Sequence, residues 1–300
     1  MTRLHALSEW AGGHKEMRKS GTLGFRAAAA VLVAMVLVAG CGTAPEEEAR
    51  DVSVVNRAAK TKKLTIGIAY DQPGLSERVA EGKFEGFDVD VAEYVARELG
   101  VEAGNITWRE TRAGDREKSL RDGSVDLVVT SFSITEDRKT RIAFAGPYFI
   151  AGQGLLVRLN TNDITGPESL NGKKLCTVPN TTSAQTIKDR FAKTTQLVEY
   201  FRYSECISAL LLGNVDAVTT DDVILAGYAA QNPELLKVVG KPFNPEHYGI
   251  GIAREDLSGR GKVNTAIEKM ISSGEWKKSL DRNIGPSGYP VPVPPAVTER

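Results

Sequence analysis

Gly123-Ser124-Val125-Asp126-Leu127-Val128-Val129-Thr130-Ser131 is echoed 90 positions later by Gly213-Asn214-Val215-Asp216-Ala217-Val218-Thr219-Thr220-Asp221. Each block reads as a helix end, a glycine turn and a β-branched strand. Each strand finishes on a short polar residue, Ser131 in one and Asp221 in the other. Similar strand starts stand upstream at Leu64 and Leu175. Two α/β lobes of related plan account for this pattern most simply. A G-x-V-D turn is also a common strand entry, so the echo alone leaves coincidence open. In open α/β sheets, ligands sit at the carboxyl ends of strands. Ser131 and Asp221 are therefore expected to face each other across an interlobe cleft.

Gly86-Phe87-Asp88-Val89-Asp90 leads into a helical pattern that carries Val91, Tyr94, Val95 and Leu99 on one face. Asp88 reads as its N-cap and Gly100 as its closing residue. A helix is expected from about Asp115 to Arg121, and a strand over Val125–Thr130. Ser133-Ile134-Thr135-Glu136 fits a capping box with Ser133 as N-cap. Asn180-Thr181-Thr182-Ser183 opens a helix ending near Phe191. Helix N-termini present unpaired N–H groups and a partial positive charge, so these two starts suit a ligand carboxylate as well as plain capping.

Composition narrows the class. The 300 residues include 38 Lys+Arg and 38 Asp+Glu, with 41% hydrophobic and 25% charged residues. Collagen-like, wholly disordered and polytopic membrane chains are excluded. The balanced charge and the lack of a basic stripe argue against a nucleic-acid partner.

The first forty residues differ from the rest. Met17-Arg18-Lys19 is basic, Ala27–Ala39 is apolar, and Val38-Ala39-Gly40-Cys41 is a small-residue site ending in cysteine. This is the pattern of a secretory signal over residues 1–40, with translation expected to start at Met17. Without residues 1–40 the chain keeps 33 basic and 36 acidic residues, a net charge of −3. Residues 41–61 read as a flexible tether. At the other end, residues 284–300 carry five prolines and read as an extended tail.

Past residue 40 a single histidine remains, His247, which weakens every histidine-dependent catalytic scheme. Cys176 and Cys206 stay open to two readings, a disulfide permitted by an extracytoplasmic location or two separate buried thiols. Neither has companions at metal-ligand spacing, so no metal or cofactor is expected.

These residues carry a family resemblance. Gly-Phe-Asp-Val-Asp-Val-Ala (86–92), the run from Val125 through Ser-Ile-Thr-Glu-Asp-Arg (133–138), and Phe-Ala-Gly-Pro-Tyr (144–148) resemble the polar-amino-acid-binding proteins of bacterial ABC importers. The resemblance runs from about Leu64 to Asn283. It is greatest to actinobacterial glutamate-binding lipoproteins, through Tyr-Asp-Gln-Pro-Gly-Leu (70–75), Asp-Ala-Val-Thr-Thr-Asp-Asp (216–222) and the cysteine pair. Val-Ala-Gly-Cys likewise resembles a lipobox, which implies a lipid on Cys41 and tethering to the outer face of the membrane.

The resemblance implies an α/β, two-lobed type II periplasmic-binding fold hinged on two crossing strands. Lobe 1 is then expected over 62–150 and 248–283, and lobe 2 over 155–243. Arg138 matches the family arginine that pairs with a ligand α-carboxylate, Ser131 and Ser133 match strand-end contacts, and Thr181 and Thr182 match the lobe-2 helix start. Asp221 matches the aspartate that pairs with the α-ammonium. Arg116, in an Asp-Arg pair, stands where acidic-amino-acid binders carry a side-chain-reading arginine, with Arg112 as a second candidate. Ala113 departs from the family, which often has a hydroxyl or an aromatic there. The implied ligand is L-glutamate or a related acidic amino acid. The implied partners are ABC permease and ATPase subunits, since no Walker A sequence occurs, and the implied state is a monomer. A sensing receptor would use the same binding residues, and a dehydratase on this fold is the enzymatic alternative.

Overall fold

The computed structural model describes residues 53–300. The signal, Cys41 and most of the expected tether lie outside those residues. In chain order the elements are α1 (Val54–Thr61), β1 (Leu64–Ile68), β2 (Asp71–Gln72), β3 (Ser76–Ala80), β4 (Lys83–Glu85), α2 (Phe87–Glu98), β5 (Ile106–Glu110), α3 (Arg116–Arg121), β6 (Leu127–Val128) and α4 (Glu136–Lys139). Then follow β7 (Ala143–Arg158), β8 (Lys174–Thr177), α5 (Thr182–Arg190), β9 (Gln196–Glu199), α6 (Tyr203–Leu211), β10 (Ala217–Asp221), α7 (Asp222–Gln231), β11 (Leu236–Val239), β12 (Pro245–Ile252), α8 (Leu257–Ser272) and α9 (Glu275–Asn283).

One sheet runs β5-β1-β6-β12-β7-β10-β8-β9, with β11 added alongside β7. Its first half, β5-β1-β6, is parallel, as are β10-β8-β9 at the far end. Lobe 1 is built on the first set and lobe 2 on the second. Between them β7 and β12 pair antiparallel from Ala143↔Ile252 to Gly152↔Pro245. Beyond that crossing, β7 pairs with β10 and β11. The 16-residue β7 is buried along nearly its whole length, as expected of an apolar run interrupted before its last residue only by Gln153. These two strands are the hinge.

The sequence echo has a physical meaning. Asp126 donates its N–H to Thr65 O and accepts the Thr65 N–H on Oδ2, both at 2.7 Å. Asp216 makes the same pair of bonds with Lys174, both at 2.8 Å. In each lobe the aspartate pins the entry of one parallel strand to the entry of its neighbour. Gly123 and Gly213 precede it at φ 63° and 77°, a conformation open to glycine at little cost.

Several expectations are corrected. Asp88 is not an N-cap. Gly86 takes that place, and the Asp88 carboxylate is buried, accepting from Ser131 N (2.7 Å) and Tyr148 Oη (2.7 Å). Thr135, not Ser133, caps α4, accepting the Arg138 N–H at 3.2 Å. The strand expected over 125–130 is regular only at Leu127–Val128, with the Asp126 and Val129 N–H groups bonding Thr65 O and Gly67 O of β1 on either side. The expected tether is helical over its last turns. Helix α1 buries Val54 and Ala58, Val54 N donates to Asp256 Oδ2 (2.7 Å), and Arg57 pairs with Asp126 (2.8 Å). An amphipathic stretch with an apolar stripe facing α8 gains from docking what a tether would leave exposed. Beyond Ser287 the chain is extended, but it does not hang free, since Thr298 and Glu299 N–H both bond Gly146 O.

Candidate functional site

A narrow cleft lies between the lobes and reaches solvent at its mouth. Ser131, Ser133, Arg138, Arg116 and Arg112 line it from lobe 1, and Thr181, Thr182 and Asp221 from lobe 2. All eight residues singled out in the sequence thus come to one space. Their roles there differ in physical character.

Ser131 lies just past β6 in the left-handed region, at φ 46°. Asp88 holds its N–H, and its hydroxyl donates to Gln72 Oε1 at 3.1 Å. Arg138 is 7% exposed on the short helix α4. Its Nη1 donates to Ser133 O (2.7 Å), and its Nη2 crosses the cleft to Asn180 O (3.0 Å). Burial pulls its acidity upward, and Glu117, with Oε1 4.0 Å from Nε, opposes this.

Arg116 opens α3 and is 5% exposed. Its Nε donates to Ala113 O at 3.1 Å, and it makes no salt bridge among the described residues. Burial first, then the neighbouring Arg138 charge, lower its pKa to about 9. It is therefore a desolvated cation on the cleft wall, not a solvated helix-face charge. Arg112 is different. Its side chain is 45% exposed at the rim, 3.5 Å from Glu110, which Arg202 of lobe 2 also engages.

Asp221, the last residue of β10, is 5% exposed and makes no salt bridge among the described residues. Tyr248 of β12 donates to its Oδ2 at 2.5 Å. Burial pushes its pKa well above the ordinary carboxylate range, nearby Glu246 adds to this, and the tyrosine bond opposes it. Burial without a directly paired cation thus favours its neutral form. Thr181 precedes α5 and spends its hydroxyl on Val178 O (2.8 Å), so the N–H groups of that helix start have no side-chain cap from it.

Sequence reasoning missed Thr130, Gln72 and Tyr203, which also line the cleft. Thr130 Oγ1 is buried without a hydrogen-bond partner. Its place beside Ser131 at a strand end was the available signal. Tyr203 offered none, because only the docking of α6 brings it there. Cys176 of β8 and Cys206 of α6 form a disulfide, which excludes the reading as two free thiols. Among the described residues no cluster of three or more metal-ligating side chains forms, and no helix is long and apolar enough to cross a membrane.

Two lobes hinged on two strands around a charged, solvent-reaching cleft define a ligand-trapping protein of the type II periplasmic-binding class. The chain belongs to the bacterial extracellular solute-binding proteins of family 3, whose pattern matches residues 64–286. The glutamate-binding protein GluB of Corynebacterium efficiens is 40% identical over 267 residues, covering 86% of this chain and 88% of that protein. The ABC transporter glutamine-binding protein GlnH of Bacillus subtilis is 33% identical, covering 82% and 91%. A solved ancestral arginine-binding protein bound to glutamine superposes with a TM-score of 0.70 at 32% identity, covering 75% of this chain and 98% of its own. The chain is thus a solute-binding protein of the extracytoplasmic kind and not an enzyme.

Proposed function

We propose that this protein captures L-glutamate, or a related acidic amino acid, between its lobes and delivers it to the permease and ATPase subunits of an ABC importer. The observation that carries this reading is the charge count of the cleft wall. Two buried guanidinium groups, Arg116 and Arg138, and one buried carboxylate, Asp221, line the same space. An amino acid with two carboxylates and one ammonium complements that set, whereas a neutral side chain leaves one cation unmatched.

In this reading Arg138 holds the α-carboxylate, because guanidinium and carboxylate make paired, charge-assisted bonds. Ser131, Ser133 and the α5 start at Thr181 and Thr182 complete that site. Asp221 takes the α-ammonium, and Arg116 the side-chain carboxylate, with Arg112 second to it at the rim. Anion site and cation site belong to different lobes, so binding favours closure about β7 and β12. The names of the glutamate- and glutamine-binding relatives agree with this class of ligand. We further propose that residues 1–40 are a signal, that Cys41 carries a lipid anchoring the protein to the outer face of the membrane, and that it acts as a monomer.

Thermal unfolding with each of the twenty amino acids tests the ligand. Mass action predicts the largest rise in midpoint with glutamate. A larger rise with a neutral or basic amino acid would discard the Arg116 assignment.

A further inference from the structure

We propose that residues 285–300 form a stiff strap that ties the two halves of the ligand clamp together and slows ligand release. Most of this segment lies past the family pattern, which ends at residue 286. The strap leaves lobe 1 at the end of α9. It first meets lobe 2, where Tyr289 Oη donates to Asp222 Oδ1 at 3.0 Å. The same carboxylate oxygen accepts the N–H of Gly152, at the hinge crossing of β7, at 3.0 Å. The Tyr289 ring lies 6.4 Å from that of Phe149, also on β7. Asp222 is the immediate neighbour of Asp221.

The strap then returns to lobe 1. Thr298 and Glu299 donate their N–H groups to Gly146 O at 2.9 and 3.0 Å. The Glu299 carboxylate reaches Lys139 Nζ at 3.4 Å, and Arg300 pairs with Glu268 of α8 at 2.7 Å. Lys139 is the immediate neighbour of Arg138. One segment therefore touches the residue beside each opposed charge of the clamp, one in each lobe.

Between its two attachments the strap carries Pro290, Pro292, Pro294 and Pro295. Proline fixes φ and favours extended backbone, so this span cannot coil or stretch cheaply when the lobes rotate. Opening must strain or release an attachment, which raises the barrier to ligand exit. Tyr289 thus acts as a positioning residue through Asp222 and not by touching the ligand.

The inference rests on the cleft as the binding site, so the intact chain is first titrated with L-glutamate, and with glutamine or arginine if glutamate does not bind. Failure of all three speaks against that reading alone. The strap is tested by the ratio of variant to parent. Tyr289→Phe removes only the hydroxyl donor. Pro292→Gly with Pro294→Gly softens the span and leaves every attachment in place. Stopped-flow fluorescence is expected to show ligand dissociation faster by about fivefold in each, with association within about twofold of the parent. Small-angle scattering of the ligand-free variants, which needs no ligand, is expected to show a larger radius of gyration than the parent. Unchanged release and unchanged scattering in both variants would overturn the strap. A lowered unfolding midpoint with parental release would show the segment to be merely structural and would overturn it equally.

Discussion

Arg116 and Arg138 rest on one aromatic ring. Their guanidinium carbons lie 4.2 and 4.9 Å from the centre of Phe132. The ring face is attractive to both cations, and it holds two like charges close together on a wall largely removed from water. Among the described residues Arg116 makes no salt bridge, and Arg138 makes only a long one, from Nε to Glu117 Oε1 at 4.0 Å. That arrangement is costly empty and favourable with a partner that carries two carboxylates, and it makes the two arginines separable by experiment.

Arg138→Ala is expected to weaken binding of any amino acid by about 2–5 kcal/mol, because it leaves a desolvated α-carboxylate unpaired. Calorimetry on the folded variant measures this. Near-parental affinity would remove Arg138 from the site.

Arg116→Leu is expected to act selectively. Glutamate should lose far more affinity than glutamine, which presents no side-chain charge to the missing cation. Equal losses for the two ligands would show that Arg116 supports the wall through Phe132 without reading the side chain.

Binding should release protons. Burial and Glu246 favour the neutral form of Asp221 in the empty cleft, and an incoming ammonium favours the ionised form. Affinity is therefore expected to fall as pH falls, beginning above the ordinary carboxylate range. Titration at about pH 6 in buffers of different ionisation heat should give buffer-dependent enthalpies. Buffer-independent enthalpy would place the ammonium elsewhere.

Asp88 predicts a pH dependence of stability in the opposite sense to a salt-bridged acid. Burial raises its pKa from 3.8 to about 7, against the bonds from Tyr148 and Ser131. The folded state then binds more protons than the unfolded state between those values. This group's contribution is fully present below the lower value and is lost as pH rises through the window. Urea midpoints across that range should decline, and Asp88→Asn should flatten the decline. An unaltered slope in the variant would assign the effect to other groups.

How far the sequence could be read follows from how local each signal was. The Asp126 and Asp216 turns repeat because each makes the same local pair of bonds to a neighbouring strand entry, and that made the two lobes legible. The run from Ser133 to Arg138 announced the anion site because helix start and cation lie in one stretch. Asp88 was misread as a cap because its partners lie 43 and 60 residues away, and no periodicity records them. Tyr203 and the docked tail were missed for the same reason. Their positions depend on packing between elements and not on the residues beside them.

The Cys176–Cys206 bridge closes a separation of 30 residues between β8 and α6, whose first residue is Tyr203 of the cleft. Reduction is expected to cost about 2–4 kcal/mol of stability. Equilibrium unfolding with and without reductant checks this. Thiol titration of the unreduced, denatured protein should find no reactive group at either position.

Calorimetric titration of the ligand-free protein with L-glutamate, and then with L-glutamine, tests the reading of the cleft most directly. The expected result is tight one-to-one binding of glutamate, with glutamine much weaker. Tighter binding of glutamine would contradict the pairing of Arg116 with a side-chain carboxylate, and heat from neither ligand would contradict an acidic-amino-acid site between the lobes.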